Sequence, residues 1–258
     1  MGLLDDKVVL VNGGSQGVGA AIARAAVREG AVVAVTGRRP APGEALVTEL
    51  TAAGGKAMFV RADLSDAEQA GTAVGDVVAA YGRIDCLVNS AGLTSRGTLL
   101  DTTPELFDQH IAINLRAPFF AMQAAVADMV SRKASGTVVN IITSSAHGGQ
   151  PFLAPYVAAK AGLIGLTRNA AHAHRWDRIR INGLNIGWTA TEGEDATQRK
   201  FHDAEDDWRE EAAARLPMGK LGQPDEIADF AVFLLSDRSG VVTGSVIDWD
   251  QNVLGGLD

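Results

Sequence analysis

Along the chain, short runs of aliphatic and β-branched residues alternate with longer stretches in which apolar positions recur at helical spacing. KVVLVN is followed by GVGAAIARAAVREG, AVVAVTG by PGEALVTELTAAG, and KAMFVRA by DAEQAGTAVGDVVAAYG. IDCLVNS then precedes the long PELFDQHIAINLRAPFFAMQAAVADMVSRK, and GTVVNIIT precedes a helical stretch from Pro155 to His174. The strand-sized runs are too continuously apolar for a sheet wet on one face, so their order predicts a parallel sheet covered by helices on both sides. Further strands are read at RIRINGLNI and SVIDW, with a helix at PDEIADFAVFLLSD between them. The expected architecture is a single α/β domain over residues 1–258, three layers deep, on a mostly parallel seven-stranded sheet. Residues 189–216 break the apolar rhythm with mixed charge around Trp208. They read as a largely helical lid insertion on the substrate side of an active site, or as an ordinary solvated connection.

Composition narrows the partners. With 258 residues, 47% of them hydrophobic, the chain can bury a sizeable core. Its 29 glycines carry no G-X-Y repeat, and Gly30, Gly55, Gly82 and Gly136 stand before strand runs, where they are expected to end helices or make turns. Lys and Arg number 23 against 31 Asp and Glu, a formal charge of −8, which argues against nucleic acid and anionic membranes as partners. Cys86 is the only cysteine, so an internal disulfide and a cysteine-rich metal site are excluded, and its place in IDCLV reads as packing. The five histidines show no ligand spacing, and no metal site is expected. The opening MGLLDDKVVL has acids where an export signal carries basic residues, and no apolar run approaches the ~20 residues that cross a bilayer. A cytoplasmic protein is expected.

Two constellations carry chemistry. Asn12-Gly13-Gly14-Ser15-Gln16-Gly17-Val18-Gly19 joins the first strand to an alanine-rich helix. Strand, glycine turn and helix together let the backbone approach a pyrophosphate at a helix N-terminus, whereas a purely structural turn needs no ligand. Further on, Tyr156 and Lys160 stand four residues apart at the start of a helix, which puts phenol and ammonium on neighbouring turns of one face. A tyrosine, with its ordinary pKa of about 10, needs positive support to act as a base near neutrality.

The glycine spacing, Gly-x3-Gly-x-Gly, resembles that of the classical short-chain dehydrogenase/reductase family, with Asn12 where that family has threonine. The resemblance continues through Asp63-Leu64, Asn89-Ser90-Ala91-Gly92, Asn114, the Tyr156/Lys160 pair and Thr243-Gly244, so it covers nearly the whole chain. It implies a Rossmann-like fold and a nicotinamide dinucleotide held by Asn12, Gly13, Ser15, Gln16, Gly17, Val18 and Gly19. Asp63, Leu64, Asn89, Ala91 and Gly92, then Tyr156, Lys160, Gly187 and Thr189, complete the implied cofactor contacts. The family's catalytic serine lies thirteen residues before the tyrosine, which here is Thr143, with Ser144 as the alternative if the strand end shifts by one. Asn114 matches the family's asparagine in a lysine and water proton relay. Ile186-Gly187 and Asp250-Gln251-Asn252 depart from the family's Pro-Gly and Asp-Gly-Gly patterns.

At the end of the second strand, Gly37 occupies the position where an acid would bind the ribose 2′-hydroxyl of NAD, and Arg38 follows it. NADP is therefore expected over NAD, with Arg39 assisting. Gln16 does not supply the extra basic residue of many NADP-using relatives, and the competing reading leaves both arginines on the surface. The implied reaction is reversible interconversion of a secondary alcohol and a ketone, with a sugar or polyol ranked first as substrate. His147 and the loop around it offer polar contacts, and Trp188 and Trp208 offer walls. A 3-oxoacyl-thioester reductase and a non-catalytic, NADP-responsive regulatory protein are the alternatives. The resemblance also implies a homotetramer.

Overall fold

The computed structural model describes residues 2–253. Seven strands form one sheet: β1 (Val8–Asn12), β2 (Val32–Gly37), β3 (Lys56–Arg61), β4 (Cys86–Asn89), β5 (Gly136–Thr143), β6 (Ile179–Ile186) and β7 (Val246–Trp249). Their order is β3-β2-β1-β4-β5-β6-β7, and every neighbouring pair is parallel. The seven-stranded, parallel sheet read from the sequence is thus present, with parallel pairing throughout. Strand order reverses beside β1, whose neighbours are β2 and β4, and such a reversal opens a crevice beyond the carboxyl ends of the strands.

The continuous apolar runs reflect two cores, one on each face. Val9 and Val11 point to one side with Val33 and Val35, and pack against Ile22 of α1 (Gly17–Arg28), Leu46 of α2 (Pro40–Ala52) and Ile227 of α9 (Pro224–Leu235). The alternate residues Val8 and Leu10 point to the other side and meet Val77 of α3 (Ala67–Tyr81) and Met129 of α5 (Ala117–Ser131). Alternation within a strand thus leaves both faces dry. Gly82 ends α3 in the left-handed region at φ 79°, a conformation that favours glycine. Gly55 and Gly136 act differently from expectation: neither has a positive φ. A side chain at either would collide with Val27 or Met129.

The stretch PELFDQHIAINLRAPFFAMQAAVADMVSRK is not one uniform helix. α4 (Pro104–Ile111) passes through a π-helical turn at Ala112–Arg116 before α5 begins. Pro118 has no N–H to return to the carbonyl four residues back, and the ladder widens just before it, with the Ala117 amide reaching Ala112 O. The remaining α-helices of the described residues are α6 (Ala154–Ala173), α7 (Glu192–His202) and α8 (Trp208–Ala214). No described helix is long and apolar enough to cross a membrane.

Candidate active site

A cleft of about 1250 Å³ runs along the carboxyl ends of the strands. At one end lies the glycine turn. Gly13 adopts φ +73°, and a Cβ there would stand 2.6 Å from Ala91 Cα, while one at Gly19 would strike the Gly13 carbonyl. These two glycines let β1, β4 and the first turn of α1 close on one another. Gly17 faces the cleft, where a Cβ would meet only Thr191, at 3.6 Å. α1 has no side-chain cap, so its first amides and dipole are available to an anion at this end of the cleft. Ser15, Gln16 and Val18 line the same end.

Asn12 and Asn89 do not line the cleft; they lie beneath it, 2% and 3% exposed. The Gly13 amide donates to Thr36 Oγ1 at 3.1 Å, and the Thr36 hydroxyl donates to Asn12 Oδ1 at 3.2 Å. Asn12 Nδ2 donates to Asn89 Oδ1 at 3.1 Å, and Asn89 Nδ2 to Asn140 Oδ1 at 2.8 Å. Asn140 Nδ2 reaches Thr167 Oγ1 at 2.9 Å, and that hydroxyl donates to Leu163 O at 2.7 Å, both residues being in α6. Buried amides need such partners, and here they satisfy one another across β2, β1, β4 and β5.

Arg38 and Arg39 stand at the outer corner of the cleft with Asp63 and Leu64. Gln16 holds Arg39, whose Nη2 donates to Gln16 Oε1 at 2.8 Å. Asp63 accepts from the Ser65 amide and hydroxyl, which hold its carboxyl below the usual range, and Arg38 adds to that effect. At Gly37 a Cβ would lie 2.7 Å from Ser15 Oγ, so an acidic side chain there would press on the glycine turn.

At the other end, Thr143, Tyr156 and Lys160 converge with Ala91, Gly92, Ser144, Gly187 and Thr189 on the cleft wall. Lys160 is 3% exposed and donates from Nζ to Ile141 O at 2.8 Å. Burial pushes its pKa down to about 8. Its ammonium lies 5.9 Å from the centroid of the Tyr156 ring. Burial drives the Tyr156 phenol up to about 12, against a hydrogen bond from Thr143 that lowers it; Glu194 raises it further and Arg96 lowers it. Thr143 ends β5 and caps the turn Ser144–His147, its hydroxyl accepting from the Ser145 amide at 3.2 Å. Thr143 is thus near enough to lower the Tyr156 phenol, and Ser144 lines the same wall.

Asn114 sits in the π-helical turn behind the wall. Its side chain brackets Leu93, accepting from the Leu93 amide at 2.9 Å and donating to the Leu93 carbonyl at 3.0 Å. It is also 3.2 Å from His110 Nδ1. His110 is fully buried, edge-on to the Tyr156 ring, and its Nε2 lies 3.1 Å from Ser95 O. Asn114 as donor and Ser95 O as acceptor place the ring proton on Nε2, and burial lowers the pKa of the imidazole. Sequence spacing did not single out His110, because its role depends on a loop fifteen residues away.

The segment 189–216 forms α7 and α8, which contribute to the cleft lining. Trp188 Nε1 donates to Glu194 at 2.8 Å, Trp208 Nε1 donates to Asp195 at 2.7 Å, and the two indoles lie 5.9 Å apart. Trp208, Ala212 and Leu221 form a small core separate from the two large ones. His147 stands 3.0 Å from Asn185 Nδ2, which also donates to Asp248 at 2.7 Å.

Residues 13–252 match a family model described as enoyl-(acyl carrier protein) reductase. The chain is 36% identical over 247 residues to an L-rhamnose 1-dehydrogenase (NAD(P)(+)) of Azotobacter vinelandii, covering 94% of each protein. It is 34% identical over 251 residues to a 3-oxoacyl-[acyl-carrier-protein] reductase of Thermotoga maritima, covering 97% of this chain and 99% of that one. A crystal structure of a dehydrogenase/reductase from Sinorhizobium meliloti 1021 superposes with a TM-score of 0.85 at 35% identity, over 97% of this chain and 96% of that one.

Proposed function

The chain belongs to the classical short-chain dehydrogenase/reductase family, whose oxidoreductases act on small carbonyl or alcohol substrates, and on that premise we propose that it interconverts a secondary alcohol and a ketone with NADP in preference to NAD. The observation that carries the reading is the single cleft joining the glycine turn and uncapped α1 to Thr143, Tyr156 and Lys160. The residues fit a dinucleotide: close-packed glycines under an open anion site at one end, a buried lysine and a phenol at the other. When bound, the nicotinamide supplies the exchange of hydride with the carbinol carbon.

The chain itself supplies binding, orientation and the proton. Ser15, Gln16, Gly17, Val18 and Gly19 hold the pyrophosphate region, and Asp63, Leu64, Ala91 and Gly92 the adenine side. Gly187 and Thr189 hold the nicotinamide side. Arg38 and Arg39 favour a ribose 2′-phosphate, with no acid at Gly37 to oppose it. In reduction, Tyr156 is protonated at neutral pH and donates to the carbonyl oxygen. In oxidation it accepts the hydroxyl proton, with Lys160 stabilising the phenolate, while Thr143 orients the substrate oxygen through its hydroxyl. Asn12 and Asn89 support the cradle from below. Asn114 acts on the site through Leu93 and is the proposed member of a lysine and water relay.

A sugar or polyol is the preferred substrate class. Its support is a wall of polar and aromatic groups (Ser145, Gln150, Trp188, Glu194), together with the sugar dehydrogenase among the relatives. A homotetramer belongs to the same reading and is checked by light scattering. Turnover of an alcohol and ketone panel with both dinucleotides, followed by nicotinamide absorbance, tests the activity. Cofactor binding without turnover of any member would leave a regulatory protein.

A further inference from the structure

Arg96 is a guanidinium in the catalytic cleft whose polar contacts among the described residues are a backbone carbonyl and an imidazole nitrogen, with no carboxylate within ion-pair distance. Nη1 donates to Thr94 O at 2.9 Å, while Nε and Nη2 lie 3.2 and 2.9 Å from His202 Nε2 at the end of α7. It is half-buried, its charged plane lying 5.1 Å from the Phe152 ring centroid and 5.7 Å from that of Phe201. A cation drawn partly out of water and left without an acidic partner is costly, unless a ligand supplies the countercharge. Glu194 is near enough to influence it electrostatically, but it makes no ion pair with Arg96 among the described residues, its Oε1 accepting instead from Trp188 Nε1 and, at 2.7 Å, from Gln198 Nε2.

The backbone carrying Arg96 is clamped on both sides. Asn114 brackets Leu93, His110 holds Ser95, and Gly97 pairs with the start of α6: its amide donates to Phe152 O at 2.9 Å, and the Ala154 amide donates to Gly97 O at 3.0 Å. Gly97 is held small by Thr102, whose Oγ1 would lie 2.6 Å from a Cβ there. The pairing places Arg96 beside the helix that bears Tyr156, in the same cleft as Thr143. A rigid platform, a planar fork of donors and a flanking aromatic pair suit a flat, singly charged acceptor.

We propose that Arg96 anchors a carboxylate on the substrate, so that the preferred substrate is a hydroxy acid of the polyol class. Its reacting hydroxyl meets Thr143 and Tyr156, and its carboxylate meets the guanidinium. The inference rests on the oxidoreductase reading above and sharpens its substrate class. A phosphate, with about two charges, would face Glu194 with a single guanidinium to balance it, and is the less favoured anion.

The test compares aldonates and short hydroxycarboxylates with the matching alditols, methyl esters and sugar phosphates, in wild type, Arg96→Gln and Arg96→Lys, with NADP and with NAD. Calorimetric binding of methoxyacetate, a singly charged carboxylate with no hydroxyl to oxidise, runs alongside. The carboxylates are expected to be preferred, and Arg96→Gln to lower kcat/KM for them by about 100-fold, chiefly through KM, as loss of a charge-assisted pair implies. Neutral alditols should change less than about threefold, and Arg96→Lys should recover only part of the loss. Preference for alditols or phosphates in the wild type, or an equal loss on acids and neutral compounds, overturns the carboxylate assignment and leaves the oxidoreductase reading standing. Methoxyacetate binding that is lost in Arg96→Gln, with no redox turnover of any compound, would support the anion site and overturn the oxidoreductase reading. Methoxyacetate binding unaffected by Arg96→Gln overturns the site.

Discussion

Replacing Lys160 by methionine separates what the ammonium does for chemistry from what it costs the fold. The side chain is almost fully buried, with one hydrogen bond from Nζ to Ile141 O, and burial lowers its pKa from 10.5 to about 8. At ~1.4 kcal/mol per tenfold change, that displacement corresponds to about 3 kcal/mol against the charged form in the folded protein. Methionine fills a similar volume without the charge and gives up a bond worth ~1 kcal/mol. The ligand-free variant should therefore be more stable than wild type by about 2 kcal/mol at pH 7. For a chain of this size that raises Tm by roughly 4–8 °C. Turnover should be lost in the same protein. The gain has a definite pH signature. Below pH 8 the lysine is protonated in both folded and unfolded states, and the penalty is fully present. Between about 8 and 10.5 the folded protein releases a proton that the unfolded chain keeps, so wild-type stability rises with pH and the advantage of methionine fades. Differential scanning calorimetry at fixed protein concentration, from pH 7 to 10.5, measures both. A Tm difference that is absent at pH 7, or constant across the series, would refute the reasoning.

Three further outcomes follow from the same geometry. Thr143→Val should lower kcat/KM by about 100-fold, in the range of a lost acid–base partner. It should also move the limb of the pH profile that reports Tyr156 upward, because the threonine hydroxyl lowers that phenol. Ser144→Ala should leave both within about threefold, and steady-state kinetics that show the reverse would transfer the role to Ser144. Arg38→Asp should weaken NADP binding by about 10–100-fold, the loss of a charged hydrogen bond, and shift preference toward NAD; an unchanged ratio in fluorescence titrations would remove Arg38 from the cofactor site. Asn89→Ala strands the Asn12 amide and the Asn140 carbonyl, and should destabilise the fold by about 2–3 kcal/mol in urea titrations, whereas a loss below 0.5 kcal/mol would show that the buried amides find other partners.

The parallel sheet was legible because the runs around Val8–Val11 and Val32–Val35 are apolar at every position, and that pattern has one architectural solution. Tyr156 and Lys160 were legible because four residues on a helix is a fixed distance. The π-helical turn was not, because AINLR lacks any residue type that marks it and only Pro118 nearby hints at a break. Asn12 read as a substitute for a turn threonine, whereas its side chain is committed to Asn89 and Thr36. The available signal was that Asn12 and Asn89 end strand runs with an amide and Asn140 interrupts one, and three such amides on adjoining strands are near enough to pair. Arg96 carried no sequence signal, since its partner His202 is 106 residues away and depends on how α7 folds over the cleft.

The buried amides beneath the cradle have a direction. An N–H at Gly13 can only give, and the carbonyl of Leu163 can only receive, so the two ends dictate which way each of Thr36, Asn12, Asn89, Asn140 and Thr167 must face. Their dipoles line up head to tail over four strands, and aligned hydrogen bonds polarise one another. No single amide in the row can invert alone without setting two donors or two acceptors against each other. The glycine turn and the helix carrying Tyr156 and Lys160 are therefore joined by one all-or-none polar row, which registers the two ends of the cleft to each other before any ligand arrives.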